Sequence, residues 1–63
     1  MSVLMSSNQA DFNKVATQKL GKSVFEFKQE ADYTYSNKEH TWTKGNIILS
    51  QHEVYGSFSL EII

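Results

Sequence analysis

The sequence predicts a single small α+β domain, in which an N-terminal helix packs on a three- to four-stranded antiparallel β-meander. Two observations lead to this prediction. Apolar residues recur at helical spacing as far as Gly21 and alternate with a period of two beyond it. The chain has 63 residues, of which 40% are hydrophobic, and this is enough for one hydrophobic core. We therefore expect residues 1–63 to form one domain.

The predicted helix covers approximately residues 7–20, and both of its ends are marked. Ser7 or Asn8 is suited to cap the first turn, because its side-chain oxygen accepts a hydrogen bond from an unpaired backbone N–H group. Gly21 is suited to the left-handed position that ends a helix. The apolar residues between these ends form one stripe, which we expect to face the sheet: Phe12, Val15, Ala16 and Leu20.

Residues 23–36 are predicted to form one long strand, or two strands bent near Gln29. Their odd positions are mostly apolar or aromatic: Phe25, Phe27, Ala31, Tyr33 and Tyr35. Their even positions are polar: Glu26, Lys28, Glu30, Asp32 and Thr34. This alternation is typical of a strand with one buried face and one solvated face.

Two further strands are predicted over residues 41–50 and 54–62. A four-residue loop over residues 37–40 would place Tyr35 opposite Trp42 on the buried face, whereas a five-residue loop would turn Trp42 toward the acidic face. We therefore expect the four-residue loop. Gly45 adopts positive φ without strain, so the segment around it predicts a bulge or a second turn. Either feature would bring Ile47 and Leu49 to the face of Trp42.

Charge and composition argue against several classes of function. The formal net charge is −1, cysteine is absent, and every cation is a lysine. Arginine provides the bidentate hydrogen bonds that read guanine edges, so a chain without it is poorly suited to sequence-specific DNA binding. The longest apolar run is far shorter than the roughly 20 residues of a membrane helix, and a signal peptide is not evident. We therefore expect a cytoplasmic protein with no membrane association.

No residue pattern indicates catalysis. The serines and threonines lack a recognisable base, and the isolated glycines form no phosphate-binding loop. His40 and His52 are both expected in turns, each beside a glutamate, where they could converge at one edge of the sheet. Their spacing matches no zinc template, however. We therefore expect no enzyme activity, no catalytic residue, no cofactor and no metal site.

The final strand suggests a protein-interaction function. Its apolar residues continue to the end of the sequence: Phe58, Leu60, Ile62 and Ile63. A strand of this kind at a sheet edge tends to pair with another chain. We therefore expect a non-enzymatic protein-interaction module, a small accessory protein of a bacterium, phage or mobile element. Its final strand would contact a protein partner or a second copy in a homodimer.

The alternative function is weak nucleic-acid binding. Sheet aromatics can stack on bases while lysines contact the phosphates. The residues that would do so are Lys28, Tyr33, Tyr35, Lys38, Trp42 and Lys44. The acidic residues between them would repel phosphates, and the aromatics are also needed in the core. Nucleic acid is therefore the less favoured partner.

Overall fold

The computed structural model describes residues 2–63 and shows two helices and five strands in this range. The elements are β1 (Ser2–Ser6), α1 (Gln9–Leu20), α2 (Val24–Glu30), β2 (Asp32–Ser36), β3 (Glu39–Lys44), β4 (Ile47–His52) and β5 (Phe58–Ile62). The strands form one antiparallel sheet in the order β1-β5-β4-β3-β2. The α+β class is confirmed. The helix is not the N-terminal element, however, and there are five strands where three to four were expected.

Helix α1 forms where the apolar spacing predicts it. Asn8 caps its start, and the Asn8 side-chain oxygen accepts a hydrogen bond of 3.1 Å from the Asp11 backbone N–H. Gly21 ends it with a φ of 74°, and its N–H donates to the Thr17 carbonyl. Phe12 and Ala16 are buried, and Leu20 packs against the core. Val15, on the same predicted stripe, is only half-buried.

Helix α2 occupies the segment that was predicted to be the first half of a long strand, so that prediction is wrong. The Ser23 side chain caps the helix by accepting a 3.1 Å hydrogen bond from the Glu26 backbone N–H. Val24 and Phe27 lie three residues apart and are both buried, as one face of a helix requires. Phe25, which supported the alternating pattern, is 68% exposed. Only the last five residues of the predicted strand form a strand, which is β2.

Strand β1 was not predicted, because its residues were assigned to the segment before the helix. It pairs with β5, so that Leu4 lies opposite Leu60 and Val3 opposite Glu61. Leu4 packs against the core, whereas Val3 and Met5 are exposed on the opposite face. Half-buried and exposed residues alternate along the five residues of β1, as expected for a strand with one covered face. The strand that β1 pairs with, β5, lies at the other end of the chain.

The loop between β2 and β3 has two residues, not the four that were expected. Asn37 and Lys38 both have positive φ, at 53° and 62°, which is typical of a type I′ turn. Trp42 therefore lies opposite Tyr33, and Tyr35 opposite His40. The expected pairing of Tyr35 with Trp42 is wrong by two residues. Because two is the period of a strand, both tyrosines still share a face with Trp42.

The strand predicted over residues 41–50 is divided by a second turn. Gly45 has a φ of 59°, and Lys44 lies opposite Ile47 across the turn. Trp42 lies opposite Leu49, so Ile47 and Leu49 share the face of Trp42 as expected. The final strand, predicted over residues 54–62, begins only at Phe58.

The hydrophobic core lies between the helices and one face of the sheet, here called the inner face. It consists of Phe12, Ala16, Val24, Phe27, Leu49, Phe58 and Leu60. The Phe12 and Phe58 rings stack with their centroids 5.2 Å apart and join α1 to β5. Among the described residues, neither helix has the length and the apolar composition needed to cross a membrane.

Candidate functional site

Four ring side chains lie side by side on the inner face of the β2–β3 hairpin: Tyr33, Tyr35, His40 and Trp42. We call this group the hairpin aromatic surface. Tyr33 lies opposite Trp42, which lies opposite Leu49, so the surface continues the inner face beyond the core. Tyr33 and Tyr35 are each 52% exposed, however, whereas Leu49 is 1% exposed. The helices therefore leave this part of the inner face open to solvent.

Ring contacts hold the hairpin aromatic surface together. The Tyr33 ring lies 5.4 Å from Trp42 and 5.9 Å from His40 between centroids, and Tyr35 lies 4.8 Å from His40. The Tyr33 hydroxyl is 2.7 Å from His40 Nδ1, within hydrogen-bonding distance. The Tyr35 hydroxyl donates a hydrogen bond to a carboxylate oxygen of Glu53, and this bond raises the pKa of Tyr35. Rings fixed in this way lose little conformational entropy when a partner binds.

Lys28 of α2 adds a cation beside these rings. Its Nζ lies 4.3 Å from the centroid of the Trp42 ring, a cation–π contact. Partial burial lowers the pKa of Lys28 through desolvation. Lys28 therefore covers part of Trp42, while the two tyrosines remain open.

The other lysines of the nucleic-acid alternative are placed differently. Lys44 Nζ lies 2.8 Å from Glu30, and Lys22 Nζ lies 2.9 Å from the same carboxylate. Hydrogen bonds from Lys22 and Lys44 lower the pKa of Glu30 to about 2. Lys38 lies in the two-residue turn at the end of the hairpin. The structure thus brings Lys28, Tyr33, Tyr35 and Trp42 together, pairs Lys44 with a carboxylate and leaves Lys38 at the tip.

Three of the four residues expected to form a protein interface, Phe58, Leu60 and Ile62, lie on a strand inside the sheet. β5 is hydrogen-bonded to β1 on one side and to β4 on the other, so the expectation of an edge strand is wrong. Phe58 and Leu60 belong to the core, and Ile62 is half-buried. Ile63, just past the strand, is 62% exposed, and its N–H donates to the Asn46 carbonyl. The edge strands are instead β1 and β2.

The two histidines lie on strands, not in turns, and their side chains point to opposite faces. Glu39 lies opposite His52 and His40 opposite Gln51, so His40 and His52 are on different sides of the sheet. His52 Nδ1 accepts hydrogen bonds of 3.2 Å from the backbone N–H groups of Val54 and Tyr55. Within residues 2–63, no three histidine or acidic side chains are arranged to hold a metal ion.

A shallow cleft adjoins Trp42 where α1 and α2 meet the sheet. Its enclosed volume is about 10 Å³, close to the space that one water molecule needs, and both Phe12 and Lys28 line it.

Comparison with protein families, curated proteins and solved structures gives no significant match. The candidate site therefore depends on geometry alone. His40 is the residue of the hairpin aromatic surface that the sequence analysis did not include, because His40 was assigned to the predicted loop over residues 37–40. The turn-forming residue Asn37 before Lys38 was the signal that could have shortened this loop.

Proposed function

We propose that this chain is a non-enzymatic protein-interaction module that contacts a protein partner through the hairpin aromatic surface. The observation that supports this proposal is the exposure of Tyr33 and Tyr35 beside a half-buried Trp42. Tyrosine and tryptophan dominate the energetic centres of protein interfaces, because they bury a large area with few rotatable bonds. Tyr33 and Tyr35 are two of the four exposed aromatic side chains among residues 2–63, and the other two, Phe25 and Tyr55, lie outside this surface.

The charges near this surface favour a protein partner over nucleic acid. Glu53 is hydrogen-bonded to Tyr35, and Lys44 is paired with Glu30. Lys28 and Lys38 are then the cations left for phosphate contacts, and Asp32 and Glu39 flank the same hairpin. Binding of nucleic acid depends strongly on the number of phosphates neutralised, and two lysines give a weak interaction.

For the place of action we propose the cytoplasm, which suits a chain without cysteine. For its origin we propose a small accessory protein of a bacterium, phage or mobile element. Composition alone supports both of these proposals.

The test compares what the chain captures from cells before and after the surface is altered. In the double variant Tyr33→Thr/Tyr35→Thr, threonine keeps the β-preference of β2 while removing both rings. Loss of such anchors costs about 2 kcal/mol or more each, about a 30-fold loss of affinity per residue. We expect the double variant to lose the proteins that the parent chain captures, as measured by quantitative mass spectrometry.

The matched control is Phe25→Thr, which removes an aromatic ring that is 68% exposed on α2, outside the hairpin aromatic surface. Circular dichroism establishes that each variant is folded. Capture of the same proteins by the double variant would contradict the proposal. Binding of a single-stranded oligonucleotide that weakens steeply with salt and is lost in Lys28→Gln would support the nucleic-acid alternative instead.

A further inference from the structure

The β2 strand is an edge of the sheet, and no other element within residues 2–63 pairs with its outer side. It is the last strand in the sheet order, and all five of its residues are exposed. Soluble proteins protect such edges with charged side chains, above all lysine, with proline or with a bulge. Between Asp32 and Ser36, β2 has neither lysine nor proline, and its pairing with β3 is continuous, without a bulge. Its one charged residue, Asp32, stands at its first position. Its free backbone groups are therefore available to another strand.

The hairpin geometry shows which backbone groups these are. A type I′ turn bonds the pair that flanks it, here Ser36 and Glu39. In an antiparallel ladder the bonded pairs alternate along each strand. Thr34 therefore also bonds to β3, while the N–H and C=O groups of Tyr33 and Tyr35 point to the free edge.

We propose that two copies of this chain associate by antiparallel pairing of their β2 strands, in a register centred on Thr34. A two-fold axis then passes between the two Thr34 residues. Tyr33 of each copy lies opposite Tyr35 of the other, and each such pair exchanges both backbone hydrogen bonds. All the free backbone groups of both tyrosines are satisfied in this register, and the two sheets join into one.

The side chains of β2 are complementary to themselves in this register. On the inner face, each Tyr33 meets a Tyr35 of the second copy, and on the outer face Thr34 meets Thr34. Aromatic pairs and threonine pairs are both favourable across antiparallel strands. Asp32 lies opposite Ser36, so no like charges face each other. Lys38 of the second copy lies two residues beyond that Ser36, so it is a diagonal neighbour of Asp32 and brings a positive charge toward it.

The other edge strand, β1, is less exposed than β2. Three of its five residues are half-buried, whereas all five residues of β2 are exposed. Helix α1 packs on β1, and Leu4 of β1 packs against the core. The proposal for β2 goes beyond the proposed function, since it adds pairing of the free backbone edge, where Tyr33 and Tyr35 of the two copies also meet. The dimer would place two hairpin aromatic surfaces next to each other and present them to a partner together.

The test uses the full chain and measures its mass by sedimentation equilibrium from micromolar to millimolar concentration. We expect the parent chain to pass from 7.2 kDa to twice that mass. Thr34→Lys places two like charges in direct opposition and should raise the dissociation constant of the dimer by at least about tenfold. Thr34→Glu should have the same effect. An equimolar mixture of the two variants should restore the dimer, because lysine then faces glutamate.

The matched control is Val3→Lys, which adds the same charge at an exposed position of the β1 edge and should leave the dissociation constant unchanged. Circular dichroism verifies that all variants are folded. A parent chain that stays monomeric, a Thr34→Lys variant that still dimerises, or a mixture that stays monomeric would each overturn the proposal. Dissociation by Val3→Lys would overturn it too, in favour of β1. Because Thr34→Lys retains both tyrosine rings, its capture of a cellular partner tests the proposed function separately.

Discussion

At the scale of single residues, Glu30 links three parts of the fold. It ends α2 and accepts hydrogen bonds from Lys22, in the loop between the helices, and from Lys44 at the end of β3. These bonds lower its pKa from 4.5 to about 2. A carboxyl group whose pKa is lowered by folding stabilises the folded state above its unfolded pKa and loses this effect as the pH falls through the folded value.

We therefore expect the Tm to fall between pH about 4.5 and about 2, in part because Glu30 becomes protonated. Glu30→Gln removes this contribution, so its Tm should depend less on pH in the same window. The effect should be small, because the carboxylate is exposed to solvent. Thermal melts at several pH values measure it, with Glu61→Gln on the sheet as the control. Equal pH dependence of the parent chain and Glu30→Gln would contradict the role of these ion pairs.

Tyr35 gives a second residue-scale prediction. Its hydrogen bond to the Glu53 carboxylate raises the pKa of the phenol, because tyrosinate would face a negative charge. Glu53→Gln should therefore lower the pKa of Tyr35. The absorbance of tyrosinate during alkaline titration measures it, and Tyr35→Phe identifies which titration belongs to this residue. Identical titration curves for the parent chain and Glu53→Gln would show that the hydrogen bond does not form in solution.

At the scale of elements, α2 depends on the capping side chain of Ser23. Its side-chain oxygen accepts a hydrogen bond from the Glu26 backbone N–H, which has no partner within the helix. Ser23→Ala should lower the free energy of unfolding by about 1 kcal/mol. Urea denaturation followed by circular dichroism measures this change. Ser7→Ala is a matched control, because Asn8 and not Ser7 caps α1, and a similar loss in both variants would contradict the assignment.

The same segment shows why one element was misassigned from sequence. Phe25 and Phe27 fit a period of two, whereas Val24, Phe27 and Ala31 fit the spacing of a helix face. The capping pair Ser23 and Glu26 favoured the helix, but the alternation continues into β2 and concealed the boundary. Local pattern alone could not resolve two periods that overlap at Phe27.

Strand β1 and the hairpin register were harder to predict for a different reason. A five-residue strand becomes stable only through its partner, and β1 pairs with β5 at the far end of the chain. The register of the hairpin depended on whether Lys38 would accept positive φ, which residues other than glycine rarely do. The helix α1 and the second turn at Gly45 were predictable, because the signals for both are local.

Part of the candidate site was predicted from the sequence. Tyr33, Tyr35 and Trp42 were placed on one face, and the structure confirms this arrangement. They were also expected to be mainly core, but neither helix extends over the tyrosines. Lys28 was assigned to a strand and reaches Trp42 from α2 instead. The part of a sheet face that a helix covers depends on how the two layers pack. A local sequence pattern does not indicate this coverage.

At the scale of the whole molecule, the chain has two layers of unequal extent. The sheet has five strands, while the buried residues of the sheet lie on β4 and β5 alone: Leu49, Phe58 and Leu60. The stability of the domain therefore depends on a small core at one side, and the open hairpin extends from it. This division separates the core residues from the exposed tyrosines proposed to bind, while Trp42, which packs against the core, belongs to both groups.

The last prediction tests this division at Leu60, which is 1% exposed on the strand between β1 and β4. Leu60→Ala should lower the free energy of unfolding by about 2–5 kcal/mol, because it removes buried methyl groups and leaves a cavity. A domain of 63 residues has a total stability of roughly 3–9 kcal/mol at about 0.05–0.15 kcal/mol per residue, so much of the variant would unfold. Urea denaturation measures the loss. Ile63→Ala, an exposed apolar residue three positions later, should change the stability by about 0.5 kcal/mol or less. Comparable losses in Leu60→Ala and Ile63→Ala would show that β5 is not the centre of the core.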